Sequence, residues 1–139
     1  MLRYPAWFEP DDDGGFVITF RDIPEAISQS NTRDEARAMG ADALLTALDF
    51  YFEDKRPVPA PTKAKSGEEL IALAVSVSAK VMLLNQMLAQ GVTPVELARR
   101  LQMSRHGVNR LVDPACAANI DAIARAMAVL GKRLEISID

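Results

Sequence analysis

Short runs rich in aromatic and β-branched residues, separated by turn residues, occupy the first thirty positions of the chain, and apolar residues recur at helical spacing through most of the remainder. MLRYPAWFEP from Met1 to Pro10 and GGFVITF from Gly14 to Phe20 mix aromatic and β-branched residues and read as strands. Asp11, Asp12, Asp13, Gly14 and Gly15 lie between them, and Asp and Gly tolerate the positive φ that a hairpin turn needs. A third short strand is expected from Ala26 to Ser30, after the Ile23-Pro24 turn. Thr32 then caps a helix that runs to about Asp54, with Glu35 completing a capping box. Its buried stripe is expected to include Ala36, Met39, Ala43, Leu44, Ala47, Leu48 and Tyr51, with Gly40 weakening it slightly. Pro57, Pro59 and Pro61 exclude regular structure before Gly67. LIALAVSV, Leu70 to Val77, is apolar on both faces near its start and predicts a strand suited to the centre of the sheet.

From Ser78 to Gly91 the pattern is helical, with Val81, Leu84, Met87 and Leu88 on one side and Met82 and Leu83 making the segment unusually apolar. TPVELARRLQMSRHGVNRLVDP, Thr93 to Pro114, reads as two short helices joined at Met103. Thr93 caps the first, Pro94 takes its first position, and Glu96 closes a capping box. Val95, Leu97, Ala98 and Leu101 fall on its inner stripe. Ser104 caps the second helix, in which Val108, Leu111 and Val112 face inward and Arg105, His106, Asn109 and Arg110 outward, with Gly107 leaving room for close approach. Arg suits guanine and Asn suits adenine, and a recognition helix presents such side chains to the major groove. Asn119 caps a last helix, stopped by Gly131, whose opening donors could hold a DNA phosphate. The expected DNA contacts are therefore Thr93, Ser104, Arg105, His106, Asn109, Arg110 and Asn119. The tail LEISI alternates, which predicts a strand in which Leu134, Ile136 and Ile138 pair with a second copy and supply two-fold symmetry.

With Ala98, Gly107, Val108 and Leu111 in these places, the stretch resembles the Cro-like (XRE) family of phage-repressor DNA-binding domains. Composition adds an asymmetry. Residues 1–62 hold 6 Lys+Arg against 12 Asp+Glu, a net of −6, whereas residues 63–139 hold 10 against 7, a net of +3, within an overall −3. An acidic first half suits a basic partner, and the second half would bind DNA by local placement more than by bulk charge. The 139 residues, about half of them apolar, suffice for one ordinary domain or two small ones. No apolar run reaches membrane-spanning length and no signal pattern opens the chain, so a cytoplasmic protein with no membrane partner is expected. The single Cys116 fits a reducing compartment.

GGFVITFRDIPEA, the polar strand SQSN and the helix opening TRDEA, followed by the two-helix stretch, together resemble the HicB antitoxin family over nearly the full chain. The resemblance implies an α+β chain: a β-β-β-α-β domain of truncated ribonuclease-H-like fold over residues 1–77, and an all-α helix-turn-helix domain with a C-terminal strand over residues 78–139. It also implies two partners, a small basic mRNA-cleaving toxin of the HicA kind, covered by the first domain, and palindromic operator DNA, bound by the second.

Candidates for the toxin-facing side are the hairpin Asp11, Asp12 and Asp13 and the exposed start of the first helix, Arg33, Asp34 and Arg37. An enzyme is not expected. Three consecutive aspartates in a turn diverge to solvent, whereas metal-dependent hydrolysis wants carboxylates converging from separate elements. The chain has no Gly-rich phosphate loop, no Cys/His spacing for a metal and one histidine, so no cofactor or metal is expected. The alternative is a one-component repressor whose first domain senses a ligand or oligomerises.

Overall fold

The computed structural model describes residues 1–139 as β1 (Arg3–Pro10), β2 (Phe16–Phe20), β3 (Ile27–Ser30), α1 (Arg33–Asp54), β4 (Glu68–Ala72), α2 (Val75–Gln90), α3 (Pro94–Leu101), α4 (Arg105–Leu111) and α5 (Ile120–Val129). The fold is α+β, with one four-stranded antiparallel sheet of order β3-β2-β1-β4 and five helices. In the register of β1 with its two neighbours, Phe8 stands opposite Ile18, Ala6 opposite Phe20 and Tyr4 opposite Ile71. Period-two alternation therefore puts these six on one face. Helix α1 covers that face with Ala36, Gly40, Leu44, Ala47, Leu48 and Tyr51, and the first core gathers here. Each fully buried Leu or Ile in it contributes about 1.5–3 kcal/mol. A Cβ at Gly40 would stand 3.4 Å from both Ile18 and Phe20, so this glycine is where the helix approaches the sheet. Met39, expected in the stripe, is consequently turned outward and is 43% exposed. The other sheet face carries no helix and leaves Trp7, Ile27 and Leu70 exposed.

The fourth strand departs from the expected Leu70–Val77 in both extent and place. It covers Glu68–Ala72 and lies at the sheet edge, while β1 is central. Only Ile71 of its apolar residues turns to the core, and Leu70 and Ala72 face out. Past Leu73, whose N–H donates to the Leu2 carbonyl, the chain enters α2 at Val75, three residues before the expected start. The run looked like a buried strand because α2 is apolar on nearly all sides. Val77, Val81 and Leu84 enter the first core, whereas Ala79, Leu83 and Met87 enter a second one, built with Val92, Leu97, Ala98, Val108, Leu111, Ile123, Ala126, Met127 and Leu130. A helix buried on two sides loses the polar face by which helical periodicity is recognised.

The expected C-terminal strand is not formed within the chain: residues 132–139 join no ladder. Leu134 packs against the second core, whereas Ile136 and Ile138 are 75% and 97% exposed. No helix is long and apolar enough to cross a membrane.

Candidate functional site

Helices α3 and α4 pack together through Leu97, Ala98, Val108 and Leu111. Between them, Gln102 takes a left-handed conformation (φ 54°) and its N–H donates to the Arg99 carbonyl, while the Met103 N–H donates to Ala98. Ser104 Oγ then accepts from the Gly107 N–H at 3.0 Å and opens α4. A Cβ on Gly107 would stand 3.1 Å from Met103 Cε and 3.2 Å from Ser104 Oγ. Its smallness thus serves the corner. Val95, expected on the inner stripe of α3, is 54% exposed, and the inner contact is supplied by Leu97 and Ala98 with the half-buried Leu101.

Of the reciprocal capping box at Thr93, one half forms. Thr93 Oγ1 accepts from the Glu96 N–H at 3.2 Å, but the Glu96 carboxylate turns away to receive Arg99 Nε at 2.9 Å and Arg100 Nε at 3.0 Å. Hydrogen bonds from Arg99, then from Arg100, hold this carboxyl down at about 2. Two guanidinium groups outcompete one backbone amide, since here donor and acceptor both carry full charge and the ion-pair attraction adds to the hydrogen bond. Helix α1 shows the same half box: Thr32 Oγ1 accepts from the Glu35 N–H, and the Glu35 side chain lines a groove instead.

The arginines sort by their partners. Arg3, Arg21, Arg33, Arg37, Arg56, Arg99, Arg100 and Arg133 each lie within 4.0 Å of a carboxylate. Arg105, Arg110 and Arg125 have none, and two of these three are on α4. His106 and Asn109 are exposed beside them, also without a side-chain hydrogen bond inside the chain. The surface of α4 thus presents two unneutralised guanidinium groups, an imidazole and an amide. Such a set can bind phosphate oxygens and hydrogen-bond base edges. Thr93 and Ser104 keep their hydroxyl protons free to donate, since each cap uses only the oxygen. Asn119 is different. Its Oδ1 accepts from the Asp121 N–H at 2.8 Å, and the exposed Asp121 carboxylate already answers the helix terminus, which counts against a phosphate there.

At the other end of the chain the candidates divide. Arg37 Nε donates to Glu69 Oε2 at 2.8 Å and its Nη1 to Asp34 Oδ1 at 2.6 Å, and Arg33 lies over the Phe8 and Phe16 rings, 3.6 Å from Glu69. These cations tie α1 to the sheet. Asp11 and Asp13, by contrast, line an open groove of about 450 Å³ with Gln29, Ser30, Asn31 and Glu35. Asp12 is exposed at the hairpin tip. The groove is acidic and amide-lined and suits a Lys or Arg side chain.

Lys80 escaped sequence reasoning. It is 1% exposed, and its ammonium donates to the carbonyls of Arg110, Asp113 and Cys116. The only sign in the sequence is one lysine inside the apolar run VSVSAKVMLL.

Residues 3–82 match a family described as the HicB-like antitoxin of a bacterial toxin-antitoxin system. Over 135 residues the chain is 45% identical to antitoxin HicB 2 of Photorhabdus laumondii, covering 97% of this chain and 95% of that protein. It is 42% identical to antitoxin HicB of Escherichia coli K12, again over 135 residues, covering 97% of this chain and 98% of that protein. Antitoxin HicB 1 of Photorhabdus laumondii is 38% identical over 138 residues, 99% of this chain and 88% of that protein.

Proposed function

Since the chain belongs to the family of HicB-like antitoxins of bacterial toxin-antitoxin systems, we propose that it binds and occludes a small basic mRNA-cleaving toxin of the HicA kind and represses its own operon. In this reading α3 and α4 are a helix-turn-helix of the Cro-like (XRE) kind, working as a dimer on palindromic DNA in the cytoplasm. Neither task needs catalysis. A toxin is silenced by covering its RNA-binding surface, and an operator by occupying it.

The observation that carries the DNA half is the distribution of unpaired arginines. Eight of the eleven lie within 4.0 Å of a carboxylate, and α4 holds two of the three that do not. Leaving a cation without a partner on an exposed helix is how phosphate and guanine are met. The toxin half is supported by the relatives' names, by the −6 charge of residues 1–62 and by the groove at Asp11 and Asp13. Opposite charge speeds encounter with a basic partner.

The DNA half is tested by fluorescence anisotropy with a duplex taken from directly upstream of this chain's own coding sequence, against a shuffled duplex. Replacing Arg105 and Arg110 by Ala should weaken operator binding by at least about tenfold per residue, as expected when guanine contacts worth about 1–3 kcal/mol are lost. An operator affinity unchanged in the double variant would end this assignment.

A further inference from the structure

Helix α4 has only seven residues, too short to hold its own direction, and beyond the Val112 N–H bond to the Val108 carbonyl its end is closed by a long bond of 3.3 Å from the Asp113 N–H to the Arg110 carbonyl. One carbonyl of α4, that of Arg110, and two of the turn beyond it converge on Lys80. Its Nζ lies 3.1 Å from the Arg110 oxygen and 2.5 Å from the oxygens of Asp113 and Cys116. The turn beyond the helix is shaped to offer them. The Asp113 carboxylate accepts from the Ala115 N–H at 2.9 Å and stands 3.4 Å from Cys116 Sγ, and the Cys116 N–H returns to the Asp113 carbonyl. Lys80 comes from the middle of α2, flanked by Ala79 of the second core and Val81 of the first. Arg110 therefore faces two ways: its side chain projects to solvent, and its carbonyl is held by a cation rooted in the helix that both cores share.

We propose that Lys80 is a positioning residue for the α4 surface: its ammonium, gripped by the carbonyls of Arg110, Asp113 and Cys116, fixes the direction of α4 against α2 and so presents Arg105, Asn109 and Arg110 at a single angle. The inference rests on the DNA reading above for its consequence, though not for its geometry. A positive charge at a helix C-terminus is favourable electrostatically, and three acceptors satisfy the three ammonium donors. Burial presses the Lys80 ammonium below the ordinary lysine range, so the site is costly to build and is held by those carbonyls together with the nearby Asp113 carboxylate. An apolar residue would fill this place with no such cost if filling were its only task.

The test uses Lys80→Met, which keeps length and volume but removes the charge, and Lys80→Gln, which keeps one donating group. Amide hydrogen exchange across residues 105–116 and anisotropy with the upstream and shuffled duplexes are read on the full chain. Loss of a charge-assisted bond of about 1.5–3 kcal/mol should raise exchange at Asp113 and Cys116 by roughly ten- to a hundredfold in the Met variant. Operator affinity should fall by a similar factor, with affinity for the shuffled duplex changed by less than about threefold, since phosphate attraction needs no fixed angle. The Gln variant should lie between, and it decides the matter alone if the Met variant fails to fold. Exchange and operator affinity both within about twofold of the parent would overturn the proposal, as would equal losses on the two duplexes. If the parent protein shows no preference for its upstream DNA, the DNA reading fails, and the exchange data still decide whether Lys80 holds α4.

Discussion

At Gly15 the backbone passes so close to its neighbour that a Cβ would stand 2.2 Å from the Ser30 carbonyl oxygen. That contact joins the hairpin to β3, where Phe16 pairs with Ser30. Gly15→Ala must push the strands apart, and urea unfolding should show a loss of at least about 2 kcal/mol. Tyr4 offers a second residue-level test. Its phenol is wholly buried and donates to the Pro59 carbonyl at 2.7 Å. Burial, with the Asp22 carboxylate second, raises its pKa from 10.0 to about 12. A group whose folded pKa is raised contributes stability that is complete below its unfolded value and is lost as pH rises through the folded one. Stability should therefore decline between about pH 10 and 12, and Tyr4→Phe should shallow that decline while costing about 1 kcal/mol at neutral pH. Denaturant midpoints at pH 8 and 11 check both; an equally steep decline in the variant would contradict the assignment. Tyr51, raised to about 12 by burial and its bond to Glu25, contributes to the same decline.

Among the elements, those with one polar face could be read from the sequence. Helix α1 is capped by Thr32 and ends at Asp54 as its pattern requires, with the left-handed Lys55 after it, and β1 and β2 flank the Asp-Gly turn. The strand and helix at Leu70–Gln90 could not be separated, since an apolar run entering two cores shows neither period. The capping residues Thr93, Ser104 and Asn119 were legible because a cap is local chemistry; the destination of the Glu96 carboxylate was not, because two arginines compete for it. That competition has a consequence. While Glu96 is ionised it neutralises Arg99 and Arg100, and with its carboxyl held at about 2 it stays ionised throughout the physiological range. Glu96→Gln should release two cations beside α4 and steepen the salt dependence of DNA binding by up to about two units of log–log slope. An unchanged slope would place α3 away from the phosphates. Partner choice within the site was legible only in part: the exposure of Arg105, His106, Asn109 and Arg110 follows from periodicity, but that Arg33 and Arg37 are spent on Glu69 requires β4 to be in place.

For the molecule as a whole, α2 is the member shared by both cores, so the acidic sheet and the cationic helix pair are parts of one continuous packing. The tail beyond Gly131 leaves Ile136 and Ile138 exposed, although Leu134 packs against the second core. If Leu134, Ile136 and Ile138 pair with a second copy, a chain ending at Gly131 should sediment as a monomer and bind an inverted repeat poorly; an undisturbed dimer would refute the pairing. Asp11, Asp12 and Asp13 changed together to Asn should slow association with a basic toxin by about tenfold at low salt if the hairpin steers the encounter. Stopped-flow rates equal to the parent's would exclude that loop. The most direct test of a two-headed antitoxin is capture from native lysate, using as bait both the parent chain and the Arg105→Ala/Arg110→Ala variant, with mass spectrometry of what is retained. A small basic protein should come down stoichiometrically with both baits, upstream DNA with the parent alone. A basic protein absent from both, or lost with the two arginines, would contradict separate heads for toxin and operator.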